Sequence, residues 1–299
     1  MKFTGERYIP SENGIICYEH LHRYLCCLNF ASEKKVLDIA CGEGYGSAIL
    51  SRFAKSVIGV DISTECIAHA QQKYCQENLK FVLGSCDKIP VESQSIDLII
   101  SFETIEHHSQ HIEMISEIKR VLNNDGILII SSPNRLLHFD LHKDINHFHV
   151  KELYYYELNN LLKEYFENIC FYGQKIIASS LVMPIEEEIN SYKNMIFYPQ
   201  EKHLTSRTSY KMDNPAFYLA ICSNKPIKTN FDLTSMYIDS QENLYQEIKD
   251  MQKIINQIQE EKANILEELE AIQLSNFGKL RRFWLQLKSL LRINHKFNY

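Results

Sequence analysis

The run Val36-Leu37-Asp38-Ile39-Ala40-Cys41-Gly42-Glu43-Gly44-Tyr45-Gly46 constrains this chain more than any other stretch. An apolar strand ends in a glycine-rich turn and passes straight into a helical pattern. Gly42 and Gly44 let the backbone turn tightly and let a ligand approach where any Cβ would stand. Apolar runs recur at 57–60, 79–83, 96–102 and 127–131, with helix-period segments near 45–53, 64–77 and 110–122. Short apolar runs separated by helices predict βαβ units and an α/β, doubly wound parallel sheet covered on both faces. Runs at 169–172 and 216–222 bring the sheet to seven strands, mostly parallel. A helical segment at 18–29 precedes it, so residues 1–35 read as a leading cap and 36–225 as the sheet domain. The insertion about 184–212, with Tyr192, Tyr198 and Tyr210, is either a lid over a ligand or a packed loop.

Composition excludes several classes. With 45% hydrophobic residues, 17 Tyr and 15 Phe, the chain can bury a large core and is not disordered. The net charge of −6 argues against nucleic acid as main partner. No run of about 18 apolar residues would span a membrane. The opening Met-Lys-Phe-Thr-Gly-Glu-Arg-Tyr has no apolar signal core, and nine cysteines without a C-x-x-C read as reduced thiols, so a cytoplasmic location is expected.

Two ligand classes use such a glycine turn, dinucleotides and S-adenosylmethionine. The dinucleotide pattern wants a third Gly or Ala at the place that Ser47 takes. Asp38, at the strand end, would repel a pyrophosphate but attract an ammonium and a sulfonium. Asp61, at the end of Val57-Ile58-Gly59-Val60, suits ribose hydroxyls in either class. The first two features favour S-adenosylmethionine.

With these motifs go Gly84-Ser85-Cys86-Asp87, Ser95-Ile96-Asp97-Leu98-Ile99-Ile100-Ser101 and Arg120-Val121-Leu122-Asn123-Asn124-Asp125-Gly126-Ile127-Leu128-Ile129-Ile130-Ser131. In this order they resemble the class I S-adenosylmethionine-dependent methyltransferases of the small-molecule and glycan type, over residues 5–225. The resemblance implies a Rossmann-like fold with S-adenosyl-L-methionine as cofactor. It makes Gly42, Gly44, Gly46 and the Cys41 backbone the cofactor loop, with Asp38 near the methionine amino group. Asp61 resembles the ribose-binding acid, and Ile62 the apolar residue against adenine. Asp87, beside the Cys86 backbone, resembles the residue that accepts from the adenine amino group. Glu103 stands among the cofactor-binding residues where the site opens onto acceptor. Thr4-Gly5-Glu6-Arg7-Tyr8-Ile9-Pro10 and Glu19-His20-Leu21-His22-Arg23-Tyr24 resemble a narrower subset whose leading segment caps the cofactor. There Arg23 or Arg7 could pair with the methionine carboxylate, against the plain reading of a surface arginine. That subset often accompanies polysaccharide biosynthesis, which points to a glycan or small-molecule acceptor.

Methyl transfer to a hydroxyl needs positioning and removal of a proton. Glu103, Glu106 and His107 share one face if a helical turn starts at 103, and His149 could join them. His149 or His107 would serve as base, with Glu106 beside them. Alternatively Glu103, Glu106, His107 and His149 could hold a divalent metal, an arrangement similar to metal-dependent RNA 2′-O-methyltransferases and quinone O-methyltransferases. Structural histidines are the third reading. The segment after the fourth strand lacks the polar proline-aromatic motif of many amine methylases, so N-methylation of a small molecule is the lesser alternative. A scaffold with an inactive methyltransferase domain is another, opposed by Asp38, Gly42, Gly44 and Asp61 standing together.

Past a linker at 226–239 the pattern changes. Leu244, Ile248, Met251, Ile255, Ile258, Lys262, Ile265, Leu269 and Ile272 alternate spacings of four and three, which predicts a coiled coil over 240–273 and association with another copy or a partner. A basic amphipathic helix follows over 277–293. Six Lys or Arg and no acid follow residue 275, so the tail is +6 and the rest of the chain −12. Such a helix suits a membrane surface, a partner's groove or the acidic body of its own chain.

Overall fold

The protein was analysed as a computed structural model, which describes residues 8–10, 14–142, 146–177, 196–200, 203–207, 212–227, 233–237 and 243–294. It divides into two units, Met1–Ile238 and Asp239–Tyr299. In the first, α1 (Ile15–Leu25) and the single turn α2 (Leu28–Ala31) lead into β1 (Lys35–Ile39). Then come α3 (Tyr45–Leu50), β2 (Ser56–Asp61), α4 (Thr64–Lys73), β3 (Leu79–Leu83), β4 (Ile96–Ser101), α5 (His111–Val121) and β5 (Leu122–Pro133). After these follow α6 (Tyr155–Lys163), β6 (Asn168–Gln174), the hairpin of β7 (Ile196–Gln200) and β8 (His203–Arg207), and β9 (Phe217–Ser223).

The seven strands lie in the order β3-β2-β1-β4-β5-β9-β6. β1 pairs in parallel with both β2 and β4, so the order reverses between β1 and β4 and a crevice opens at their carboxyl ends. Only β9 in this sheet runs against the others, slotted between β5 and β6. Both faces are apolar with period two, as a fully covered sheet requires. Val36, Leu98, Ile100, Ile129 and Ile221 face one core, and Leu37, Ile99, Leu128, Ile130 and Ala220 face the other. The first core takes Tyr24, Phe30, Ala48 and Ala70 from the helices; the second takes Met114, Ile115, Ile118, Leu158 and Leu162. The seven-stranded, mostly parallel sheet is therefore the one the periodicity predicts, and its Rossmann-like arrangement the one the resemblance implies.

Local chemistry sets the ends. Ser63 caps α4, its hydroxyl accepting the Cys66 N–H, with Glu65 in the first turn and Lys73 in the last. The segment expected as one helix over 18–29 breaks at Cys26 and Cys27, which lets Phe30 and Ala31 turn into the core. Linker residues 233–237 pack on the first unit: Leu233 is buried, and the Tyr237 ring lies 5.7 Å from that of Tyr18. Tyr192, Tyr210 and Arg7 lie outside the described residues.

In the second unit, α7 (Asn243–Leu274) covers the stretch with heptad spacing, and α8 (Asn276–Asn294) covers the basic one. No described helix is long and apolar enough to cross a membrane.

Candidate functional site

The crevice holds a cavity of about 630 Å³, a volume suited to a cofactor with part of a second ligand. Its wall includes Arg23, Cys41, Gly42, Asp61, Ile62, Cys86, Glu103, Glu106, His107 and His149. Asp38, Gly44, Gly46 and Asp87 are not part of its wall, and each has its own surroundings.

Beyond β1 the chain turns through left-handed residues, Ala40 at φ 56°, Gly42 at φ 56° and Gly44 at φ 90°. Gly42 donates its N–H to Asp61 Oδ2 at 2.8 Å, and Ser63 donates to Asp61 Oδ1 at 2.8 Å. The carboxylate thus ties the first loop to the end of β2. Gly44 and Gly46 serve packing. A Cβ on Gly44 would stand 2.7 Å from the Phe81 ring, and one on Gly46 would stand 2.0 Å from Tyr24 Cζ. The ring that Gly46 admits matters, because Tyr24 donates its hydroxyl to Asp38 Oδ1 at 3.1 Å. Ser47 donates to Asp38 Oδ2 at 2.6 Å. Asp38 is completely buried, and burial pushes its carboxyl up to about 7 against those two hydrogen bonds. Asp87 accepts from the Ser85 hydroxyl, which holds its carboxyl below the usual range.

Arg23, from the last turn of α1, is 1% exposed. Its Nη1 donates to Gln174 Oε1 at 2.7 Å and its guanidinium lies 4.8 Å over the Phe217 ring. Nε and Nη2 are buried with no hydrogen-bond partner among the described residues. A buried cation with two unmet donors marks a place for an anionic group. Glu19, one turn earlier, also lines the cavity, and burial pushes its carboxyl up to about 7.

At the other end, Glu103 takes a left-handed φ of 47°, so no helical turn starts there; a single 3-10 turn runs Ile105–His107. The Glu103 carboxylate accepts from Ser131 Oγ at 2.5 Å, and it is not part of the donor cluster expected to include it. Glu106, His107 and His149 do converge, with donor atoms within 4.8 Å of one another. Val150 and Lys151 donate their N–H groups to the Glu106 carbonyl at 2.8 and 3.0 Å, which brings the 149–151 loop onto the 3-10 turn. His107 Nδ1 donates to the Phe148 carbonyl at 3.0 Å, leaving Nε2 as the acceptor nitrogen. His149 Nδ1 lies 2.6 Å from Glu152 Oε1, and Asn146 Nδ2 lies 3.0 Å from His149 Nε2. This pattern puts the proton on Nδ1 and makes Nε2 the acceptor. Glu106 is fully buried, neither carboxylate oxygen has a hydrogen-bond partner among the described residues, and burial pushes its pKa well above the usual range.

Several of these residues escape a sequence reading. Glu152 stands three residues after His149, the one spacing that could have drawn attention to it. Gln174 and Phe217, which seat Arg23, carry no local signal.

The fold is a Rossmann-like sheet with a ligand-sized crevice at its switch point. Residues 37–130 match the family described as a methyltransferase domain. A relative in Mycolicibacterium smegmatis, named a probable S-adenosylmethionine-dependent methyltransferase, is 32% identical over 167 residues, 54% of this chain and 64% of its own. The ubiquinone biosynthesis O-methyltransferase of Actinobacillus pleuropneumoniae is 30% identical over 113 residues, 35% of this chain and 47% of its own. The crystal structure of a protein from Pyrococcus horikoshii superimposes with a TM-score of 0.51 at 21% identity, covering 75% of this chain and all of that one, and shares the fold. The chain thus spans less than two thirds of the curated relatives named here. The sequence matches support likeness to S-adenosylmethionine-dependent methyltransferases over part of the chain.

Proposed function

We propose that this chain transfers the methyl group of S-adenosylmethionine to a hydroxyl oxygen of a glycan or small-molecule acceptor. One observation carries the reading: a single cavity joins Gly42, Asp61 and Arg23 to a histidine, His149, that is backed by a carboxylate. When bound, S-adenosylmethionine supplies an electrophilic methyl on sulfur, open to in-line displacement. Arg23 would receive the methionine carboxylate on its two unmet donors. Asp61 would accept from the ribose hydroxyls, and Ile62 would offer apolar surface to the adenine. His149 Nε2, on which the acceptor hydroxyl would displace the Asn146 amide that donates to it, would take the acceptor's proton as the oxygen–carbon bond forms and the sulfur–carbon bond breaks. Glu152 holds the ring in that tautomer and stabilises the imidazolium. The relative named as an O-methyltransferase supports the oxygen acceptor.

The test supplies methyl-labelled S-adenosylmethionine with separate sugar, phenol and amine panels. Label is expected in a methyl ether; label on nitrogen overturns the hydroxyl assignment. His149→Ala should lower kcat about 10²–10⁴-fold with cofactor affinity unchanged. Equal kcat would remove His149 from the proton transfer.

A second reading rests on Glu106, a fully buried carboxyl without a hydrogen-bond partner among the described residues. With His107 and His149 it forms a mixed oxygen and nitrogen donor set that fits a divalent cation, and Phe148 and Glu152 orient the two rings from behind. Such an ion would supply a Lewis acid at the acceptor oxygen. Calorimetry of the whole chain with Mn²⁺ should show binding that Glu106→Gln abolishes. No heat in the unsubstituted chain overturns the cation.

A further inference from the structure

The catalytic reading leaves α8 without a task. Its 19 residues contain no acid, and Lys279, Arg281, Arg282 and Lys288 supply positive charge. Phe277, Leu280, Phe283 and Trp284 are 77%, 70%, 64% and 58% exposed, and Leu287 is exposed as well. At about 100° per residue these five side chains fall within an arc of roughly 120°. Lys279 stands just past one margin of that arc; Arg281 and Lys288 stand just past the other. The Lys288 ammonium lies 4.9 Å over the Trp284 ring.

The helix does not simply prolong α7. Ser275 accepts the Gly278 N–H on its hydroxyl at 3.1 Å and donates that hydroxyl to the Ile272 carbonyl at 2.6 Å. A Cβ on Gly278 would stand 2.3 Å from the Ile272 carbonyl oxygen. This tight corner ends the heptad seam, so the aromatic arc of α8 is a second and separate apolar face. The seam is aliphatic, and this face is aromatic with basic margins.

We propose that α8 docks on an anionic lipid surface, lying in its plane. The charge pattern selects this occupant. On a lipid surface the ring side chains sink to the acyl boundary while lysine and arginine on both margins reach back to the headgroup phosphates. A protein groove would have to present acids along both of its rims to meet the same pattern. Since no described helix can cross a bilayer, the attachment is peripheral. The reading is independent of the methyl-transfer chemistry.

The chain contains a single tryptophan, Trp284, so its intrinsic tryptophan fluorescence reports this helix alone. The full chain is mixed with phosphatidylcholine vesicles with and without phosphatidylglycerol, and both sedimentation and emission are read. Vesicles with phosphatidylglycerol are expected to carry the protein down and shift Trp284 emission to the blue, and salt should reverse both. Replacing the flanking charges by Lys279→Gln, Arg281→Gln and Lys288→Gln together should weaken binding about a hundredfold. Phe283→Ser with Leu280→Ser should abolish it, with helix content checked by circular dichroism. Failure to bind, binding equal on neutral vesicles, or binding unmoved by the triple substitution overturns the proposal. Emission that is already blue and indifferent to vesicles also overturns it, and assigns the face to protein.

Discussion

Asp61 and His149 stand in one cavity but are held in different ways. Asp61 takes the N–H of Gly42, 19 residues away, and that of Ser63, two residues away. His149 belongs to a loop fixed by main-chain bonds to Glu106, and the His107 ring donates across 41 residues to Phe148. The Asp61 end is made of backbone and a short motif; the His149 end is made of side chains gathered from distant loops. A short motif builds one geometry with little help, whereas a gathered set depends on every segment that delivers it. This difference predicts that damage at the Asp61 end is local and large, and that damage nearby is felt through packing.

The strongest way to break that contrast is Asp61→Ala. It should weaken S-adenosylhomocysteine binding about a hundredfold, read by calorimetry, because charge-assisted hydrogen bonds to ribose are lost. Asp61→Asn, which keeps an acceptor for the Gly42 N–H, separates ligand loss from loop loss. Unchanged affinity in both would sink the ribose assignment.

Gly46→Ala sharpens the packing side. The new methyl would overlap the Tyr24 ring and push its hydroxyl from Asp38. A loss of about 1–3 kcal/mol in unfolding free energy is expected. A thermal midpoint equal to the unsubstituted chain would show that the ring moves freely and that Gly46 is dispensable.

A third effect is the pH dependence of Asp38. Its folded carboxyl sits at about 7 and an unfolded one near 4. Between those values the folded state keeps a proton that the unfolded state has lost, so stability falls as pH rises through the window and is level above it. Asp38→Asn should flatten part of that fall in denaturant titrations of the ligand-free chain. An equally steep fall would mean that Glu19 and Glu106, whose carboxyls burial also raises, account for it.

The same contrast explains what a sequence reader could see. The alternation of strands and helices in a mostly parallel sheet follows from apolar period and the glycine turn, and Asp61 follows from its distance to that turn; the strand order is set by pairing between distant segments. Glycine identity alone does not separate roles: of the three loop glycines Gly42 lines the cavity, while Gly44 and Gly46 make room for Phe81 and Tyr24. A Cβ-free position looks alike in sequence whether ligand or ring needs the space. Glu103 was drawn into the metal cluster by assuming helical spacing, and its left-handed backbone sends the carboxylate to Ser131 instead. Glu152 becomes visible only once His149 is known to face it.

Gln174 has a consequence for how the protein is made. It accepts from Arg23 and donates its own amide to the Glu19 carbonyl at 2.9 Å, spanning about half of the chain. A ribosome that has released residues 1–133 has delivered every glycine of the loop, Asp61 and strands β1 to β5. It has not yet delivered the residue that seats Arg23. During vectorial synthesis the ligand pocket therefore stays unlatched until β6 emerges, and β9 must still insert beside it.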